Sequence, residues 1–168
     1  MPNKLTLLFL FLLATATHSY AQDKNLVMPW PKGWQATDTV IQKNALHRNA
    51  RLQADGHTLI DLKITAIDTT HAEKKPDTET AKLLTTQLRD AIAPSTKEKD
   101  IPLQSFPDGK GFYFLATDHN PKPEEFDQMI EGIALDRAYI INFTLLSDDM
   151  TTDAAKQIIQ ALGQIQIQ

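Results

Sequence analysis

The sequence predicts an α+β domain in which about five to six antiparallel strands form a sheet that is covered by helices. Three patterns lead to this prediction. Residues 60–66 alternate apolar and polar side chains, which is typical of a strand with one buried face. Two segments, near residues 81–92 and 155–162, repeat apolar residues at helical spacing. Residues 138–146 are almost continuously apolar, as expected of a strand in the middle of a sheet.

The segment before the first long strand is predicted to be extended. Within residues 26–34, Pro31 lacks a backbone donor and biases Trp30 toward extended geometry. Lys32-Gly33 is expected to form a turn. This entry segment, residues 26–34, is therefore predicted to be stiff and extended rather than helical.

A hairpin is predicted next. Strands are expected at about residues 45–53 and 58–68, on either side of Asp55-Gly56, a dipeptide typical of tight hairpin turns. In the second strand, the apolar side chains are predicted to be buried, and the polar side chains between them to be exposed to solvent or only partly covered. The apolar side chains are those of Ile60, Leu62, Ile64 and Ala66.

The first helix is expected to begin at Pro76-Asp77-Thr78 and to stop before Pro94. Its apolar stripe is predicted to pack on the sheet and comprises Ala81, Leu84, Leu88, Ala91 and Ile92. A second amphipathic helix is expected after Thr151-Thr152-Asp153, with Gly163 as its C-cap and residues 164–168 frayed or extended. Its apolar face comprises Ala155, Ile158, Ile159 and Leu162.

Three strands are predicted between the helices. Residues 112–117 are aromatic and apolar on both faces, which favours a central strand covered on two sides. A strand around residues 128–135 is followed by a tight turn at Asp136-Arg137 and then by the strand at 138–146, which Ser147-Asp148-Asp149 ends. The predicted order is thus a hairpin, a helix, three antiparallel strands and a helix.

Residues 1–21 have the pattern of a secretory signal peptide. Lys4 precedes the apolar run Leu5–Leu13, which is too short to span a bilayer, and Ser19 and Ala21 suit the positions before a cleavage site. Cleavage is expected after Ala21, which leaves residues 22–168 as a single domain. Because the chain has no Cys, the expected destination is a bacterial periplasm rather than a disulfide-forming eukaryotic pathway.

The composition also restricts the partners. A formal net charge of −4, without a run of basic residues, argues against nucleic acid or an anionic membrane as the main partner. No membrane anchor is expected after the signal peptide, and we expect a monomer that engages a protein partner or a small ligand.

Two stretches carry a family resemblance. Pro31-Lys32-Gly33-Trp34 resembles the P-x-G-W opening of PsbP-like domains, and residues 103–146 are similar to a group of small bacterial exported proteins of unknown function. The shared features are an aromatic strand, a P-x-P-x-E-[FY] loop, a strand with a central glycine at Gly132, and an [IL]-x-F-T-[IL]-L strand at Ile141–Leu146. The resemblance implies an α/β/α sandwich. It implies no particular activity.

Catalytic motifs are few. The sequence has no G-x-S-x-G motif, no phosphate-binding glycine loop and no closely paired histidines, so we expect no catalytic residue, cofactor or metal site. The best local cluster is Asp118-His119 with Glu124 and Glu125, which either converges as a ligand set or is a solvated loop. Asp68, His71 and Glu73 form a second polar cluster of the same kind.

Trp30 and Trp34 are the remaining candidates. Two indoles held close together by prolines can stack on a ligand or on a partner's surface, or they can plug the end of the core. The predicted binding residues are therefore Trp30, Trp34, Asp118 and His119. We expect a non-catalytic periplasmic binding or accessory protein that uses its loops or sheet edge; the alternative is a hydrolase or metal-dependent enzyme built on His119.

Overall fold

The computed structural model describes residues 24–42, 45–54 and 58–168. The predicted signal peptide and the Asp55-Gly56 turn lie outside these residues. The elements follow in the order β1 (Leu26–Val27), β2 (Gln35–Ala36), β3 (Val40–Gln42), β4 (Ala45–Ala54), β5 (Thr58–Asp68), α1 (Thr78–Ile92), a 3-10 turn (Ala93–Ser95), β6 (Gln104–Ser105), β7 (Gly111–Thr117), β8 (Gln128–Asp136), β9 (Tyr139–Ser147), α2 (Asp153–Leu162) and β10 (Gln166–Ile167).

The main sheet has the strand order β2-β4-β5-β9-β8-β7-β6, with β3 also paired to β4, and all of its pairings are antiparallel. The predicted α+β class is confirmed. The predicted number of five to six strands is wrong, because the described part of this sheet contains eight. The additional strands are two or three residues long, too short for a period-two pattern to reveal them.

The predicted hairpin is confirmed by β4 and β5, which pair along their whole length. The alternation in β5 also holds: Ile60, Leu62, Ile64 and Ala66 are buried, whereas Lys63 is exposed. The entry segment makes its turn at Lys32-Gly33, where Gly33 has a φ of +92°.

β9 lies between β5 and β8, in the centre of the sheet as predicted. The turn before it falls at Arg137 and Ala138, one residue later than expected, because β8 continues through Asp136. β7 is not central, contrary to the prediction. It pairs with β8 on one side and only with the short β6 on the other. Its aromatic residues are explained by packing on both faces rather than by a central position.

Gly132 in β8 explains how three strands fit together at one point. It lies opposite Tyr113 of β7 and Phe143 of β9. A Cβ at Gly132 would stand 2.7 Å from the Cβ of Tyr113 and 2.8 Å from Cζ of Phe143. The missing side chain therefore makes room for two aromatic neighbours.

One helix packs on each face of the sheet. α1 is capped by Asp77, whose side chain accepts from the backbone N–H of Thr80, and it lies over β7 and β8. Ala81, Thr85 and Ile92 are its buried residues, whereas Ala91, predicted to be buried, is exposed because it falls on the solvent side of the last turn.

α2 begins at its cap Thr152 and packs against the opposite face through Ala155, Ile158 and Leu162, with Ile159 half-buried. Gly163 is the C-cap, as predicted. The residues after it are extended rather than frayed, since β10 pairs with β1 and Ile167 is buried. No helix in the described ranges is long and apolar enough to cross a membrane.

Two cores result, one on each side of the sheet. We call the side that carries Ile60, Leu62, Phe143 and Leu145 the α2 face, and the side that carries Phe112, Phe114, Glu131 and Ile133 the α1 face. The α2 face holds the larger core, and the α1 face holds a small one built on Ile92, Ile101, Phe114 and Ala116.

Candidate functional site

The indole pair lies on the entry segment and against the larger core. Trp30 and Trp34 are both half-buried, and their ring centroids are 6.5 Å apart with an angle of 37° between the planes. Each indole therefore contributes to packing and still presents part of its surface to solvent. Nε1 of Trp34 is buried without a hydrogen-bond partner among the described residues.

Arg48 of β4 holds the entry segment in place. Its guanidinium donates from Nη1 to the carbonyl of Leu26 at 2.6 Å and from Nε to that of Thr37 at 2.8 Å. The same group lies 5.3 Å from the ring centroid of Trp30, in cation–π geometry. Sequence reasoning missed Arg48. The signal was present, since Arg48 has the same strand parity as the buried Leu46 and Ala50.

An open cleft of about 790 Å³ lies beside the entry segment, at the end of the sheet where β8 turns into β9. Four pieces of chain form its walls: the entry segment, the turn before β7, the β8–β9 turn and the residues after α2. The residues that line it include Lys110, Asp136, Arg137 and Gln166.

The charged side chains of the cleft differ in whether they already have a partner within the protein. Oδ2 of Asp136 accepts from the backbone N–H of Ile167 at 2.7 Å, so it fastens the C-terminal strand to the turn. Nζ of Lys110 lies 3.6 Å from Asp108. Arg137 is exposed, has a φ of +51°, and forms no ion pair within the described residues. The cleft thus combines mostly polar walls with a guanidinium that is available to a ligand.

Asp118 and His119 lie far from the indole pair along the sheet. They follow β7, whereas Trp34 precedes β2 at the opposite edge. Both residues are exposed; the backbone N–H of His119 donates to the carbonyl of Ser95 at 2.9 Å, and Oδ1 of Asp118 accepts from the N–H of Asn120 at 2.8 Å. The structure therefore does not bring the four predicted residues into one site.

The carboxylates near His119 do not converge on it. Glu124 and Glu125 are exposed, and Glu125 faces Lys122 at 3.4 Å. Among the described residues, no group of three or more His, Asp and Glu side chains is arranged to hold a metal ion. The geometry at His119 is that of a solvated loop stiffened by local backbone hydrogen bonds.

The second polar cluster is divided as well. Asp68 lies 2.6 Å from Nζ of Lys24, and the hydroxyl of Tyr139 donates to it at 3.3 Å. Burial raises the pKa of Asp68, but the hydrogen bonds from Lys24 and Thr70 outweigh burial and bring the pKa down to about 2. His71 and Glu73 are exposed in the following loop. Asp68 therefore serves to fasten the start of the described chain to the sheet.

Glu131, in the middle of β8, is the one buried acid among the described residues. Its side chain is 4% exposed on the α1 face. Burial raises its pKa to about 7, against the smaller lowering effect of Asn142 and Thr144. Sequence reasoning missed Glu131, although a single acid within the apolar run Met129–Ile133 indicates a buried carboxyl group.

Comparison with known proteins adds no relative to this picture: no protein-family model, curated protein or solved structure matches the chain.

Proposed function

We propose that this protein is an exported, periplasmic binding or accessory protein without catalytic activity, and that it engages a protein partner or a small ligand at the cleft beside the entry segment. The observation that carries the proposal is the cleft itself, in which Arg137, unpaired within the described residues, stands among mostly polar walls beside the entry segment that bears Trp30.

A PsbP-like fold is part of the proposal. It is supported by the element order, by one helix on each face of an antiparallel sheet, and by Gly132 between two aromatic side chains. Such a scaffold supports many functions, so the assignment of a role rests on the cleft and not on the fold.

The enzyme alternative has less support. It requires His119 and carboxylates to face a common concave site, whereas His119 is exposed and does not line the cleft.

Site-specific photocrosslinking tests the binding role. p-Benzoylphenylalanine is introduced at Gln166, an exposed residue of the cleft, and, as a matched control, at Leu83, which is 58% exposed on α1. Irradiation in the native host is expected to give a discrete crosslinked species from position 166 only. The species is expected to weaken severalfold when Arg137→Ala is added. Equal labelling from both positions, or none from either, would contradict the proposed site.

Export is tested separately. The intact mass of protein recovered from the periplasm of the native host is expected to correspond to loss of residues 1–21, with Gln22 as the new first residue. A full-length periplasmic species, or a protein confined to the cytoplasm, would contradict this part of the proposal without affecting the cleft.

A further inference from the structure

Glu131 occupies a position where an ionised carboxylate is poorly accommodated. It lies in the middle of β8 on the α1 face, opposite Phe114 of β7 and Thr144 of β9, and only 4% of it is exposed. Oε2 of this side chain has no hydrogen-bond partner among the described residues. A buried, unpaired charge is among the most costly groups in a protein interior.

Polar neighbours satisfy the Glu131 carboxyl only in part, since Asn142 and Thr144 offset little of the effect of burial on its pKa and other donors bond to the backbone. The hydroxyl of Thr85, which is fully buried on α1, donates to the carbonyl of Ala81 at 2.8 Å and lies 3.3 Å from that of Phe112. Nδ2 of Asn142 lies 3.5 Å from the carbonyl of Gly132. Donors close to the carboxyl are thus at least partly committed to the backbone.

Charged groups on the surrounding elements do not compensate Glu131 either. The α1-face residues of β7 are Phe112, Phe114 and Ala116, and those of β9 are Ile140, Asn142, Thr144 and Leu146, all of them uncharged. On α1, Arg89 pairs with Asp90 at 2.8 Å. After α1, Glu98 accepts from the N–H of Thr117 at 3.0 Å, and Lys63 of β5 is exposed and two strands away from β8.

α1, the helix over β7 and β8, buries few of its own side chains. α1 has 15 residues, of which Ala81, Thr85 and Ile92 are buried, and it covers β7 and β8 but not the β4–β5 side of the sheet. A small number of buried side chains is characteristic of elements that open locally without global unfolding. A change in the charge of Glu131 therefore acts on the helix that buries the smaller fraction of its residues.

We propose that Glu131 makes the docking of α1 on the sheet depend on pH: α1 is docked firmly while the carboxyl is protonated, and ionisation favours a state in which α1 lifts and Glu131 reaches water. The proposal is independent of the binding role of the cleft, which is lined by the last residues of β8 and the β8–β9 turn rather than by Glu131. Its sign follows from the burial of an acid. The pKa is raised when α1 is docked, so the docked state loses stability as the pH rises from about 4.5 toward 7.

Hydrogen–deuterium exchange measured by mass spectrometry tests this device on the mature protein. Protection factors, corrected for intrinsic exchange rates, are compared at pH 5.5 and pH 8 for peptides covering α1 and α2. In the wild type, α1 is expected to lose protection by about 25-fold over this interval, which is the linkage expected for a pKa that moves between about 4.5 and about 7. Protection of α2 is expected to change little.

Two variants separate Glu131 from other acids. Glu131→Gln preserves the shape of the protonated side chain and is expected to keep α1 equally protected at both pH values. Asp61→Asn, on the same face but in an exposed pair with Arg51, is expected to retain the wild-type loss. Loss of α1 protection in Glu131→Gln equal to that in the wild type, or no loss in the wild type, would overturn the proposal.

A carbon-13 NMR titration of the Glu131 carboxyl provides a measurement that needs no variant to fold. A midpoint near 7 is expected. A midpoint below 5 would overturn the proposal even if α1 exchange varied with pH.

Discussion

The two faces of the sheet differ in how many elements and apolar residues pack on them. The α2 face gathers the apolar residues of β4, β5, β8 and β9 with α2, the entry segment and the C-terminal strand. The α1 face has a small core beneath one helix, an uncovered side over β4 and β5, and a buried acid at its centre. One sheet thus carries one face that is packed for stability and another that is only partly closed.

The difference shows that burial alone does not define a core. Phe114 and Phe143 are both fully buried, yet Phe143 touches Phe106 at a ring distance of 5.7 Å within the large cluster, whereas Phe114 belongs to the small one. The same side chain at the same exposure is therefore expected to contribute differently on the two faces.

The largest effect is expected from truncation of this matched pair. Phe143→Ala is expected to lower the free energy of unfolding by about 3–5 kcal/mol, because Phe143 is fully buried within the large core. Phe114→Ala is expected to cost less, about 2–3 kcal/mol, because α1 can settle into the space. Denaturant titration measures both values. Equal losses would show that the two faces are equally rigid and would break the comparison.

A gain in stability is expected from Glu131→Gln. At pH 8 the variant is expected to be more stable than the wild type by about 2–3 kcal/mol, since it removes the cost of ionising a buried acid. At pH 4.5 the two proteins are expected to differ by less than about 0.5 kcal/mol, because the acid is then protonated in the folded state. Urea titrations at both pH values provide the check, and a variant that is less stable at pH 8 would contradict the account of the α1 face.

Removal of the helix caps sharpens the comparison further. Thr152→Ala is expected to lower the global free energy of unfolding by about 1 kcal/mol, because α2 belongs to the large core. Asp77→Ala is expected to increase hydrogen exchange in α1 and to leave the global denaturation midpoint nearly unchanged. If both substitutions shift the midpoint equally, α1 unfolds together with the rest of the domain.

The smallest effect is expected at His119, which belongs to neither face. His119→Ala is expected to change the free energy of unfolding by less than about 1 kcal/mol, as exposed substitutions usually do. Calorimetric titration of the mature protein with zinc is expected to show no binding tighter than micromolar. Stoichiometric tight binding that is lost in His119→Ala would restore the metal-dependent enzyme.

Sequence patterns predicted the long elements well, because each of them carries a local signal of alternation, helical spacing or a continuous apolar run. The β4–β5 hairpin, the central position of β9 and the caps Asp77 and Thr152 all follow from local alternation, spacing or capping residues. The position of β7 was not predictable in this way. Its aromatic residues signal burial, but burial by α1 and by Phe106 looks the same in sequence as burial between strands.

The site residues were harder to predict, because a site depends on which distant segments meet. The cleft is formed by the entry segment, two turns and the residues after α2. No pattern within any one of these segments predicts that it contacts the others. Two residues did have a local signal in the sequence: Arg48 is a charge at a core-facing position of a strand, and Glu131 is an acid within an apolar run. Those signals identify an unusual residue but not its surroundings.

The pairing of β1 with β10 has a kinetic consequence. Leu26 lies opposite Ile167, so this two-stranded sheet joins segments from the two ends of the described chain. Closing so long a loop is entropically unfavourable until the main sheet has already brought the segments together. The β1–β10 pair is therefore expected to form after the rate-limiting step of folding. Weakening this pair would then speed unfolding and leave the folding rate almost unchanged.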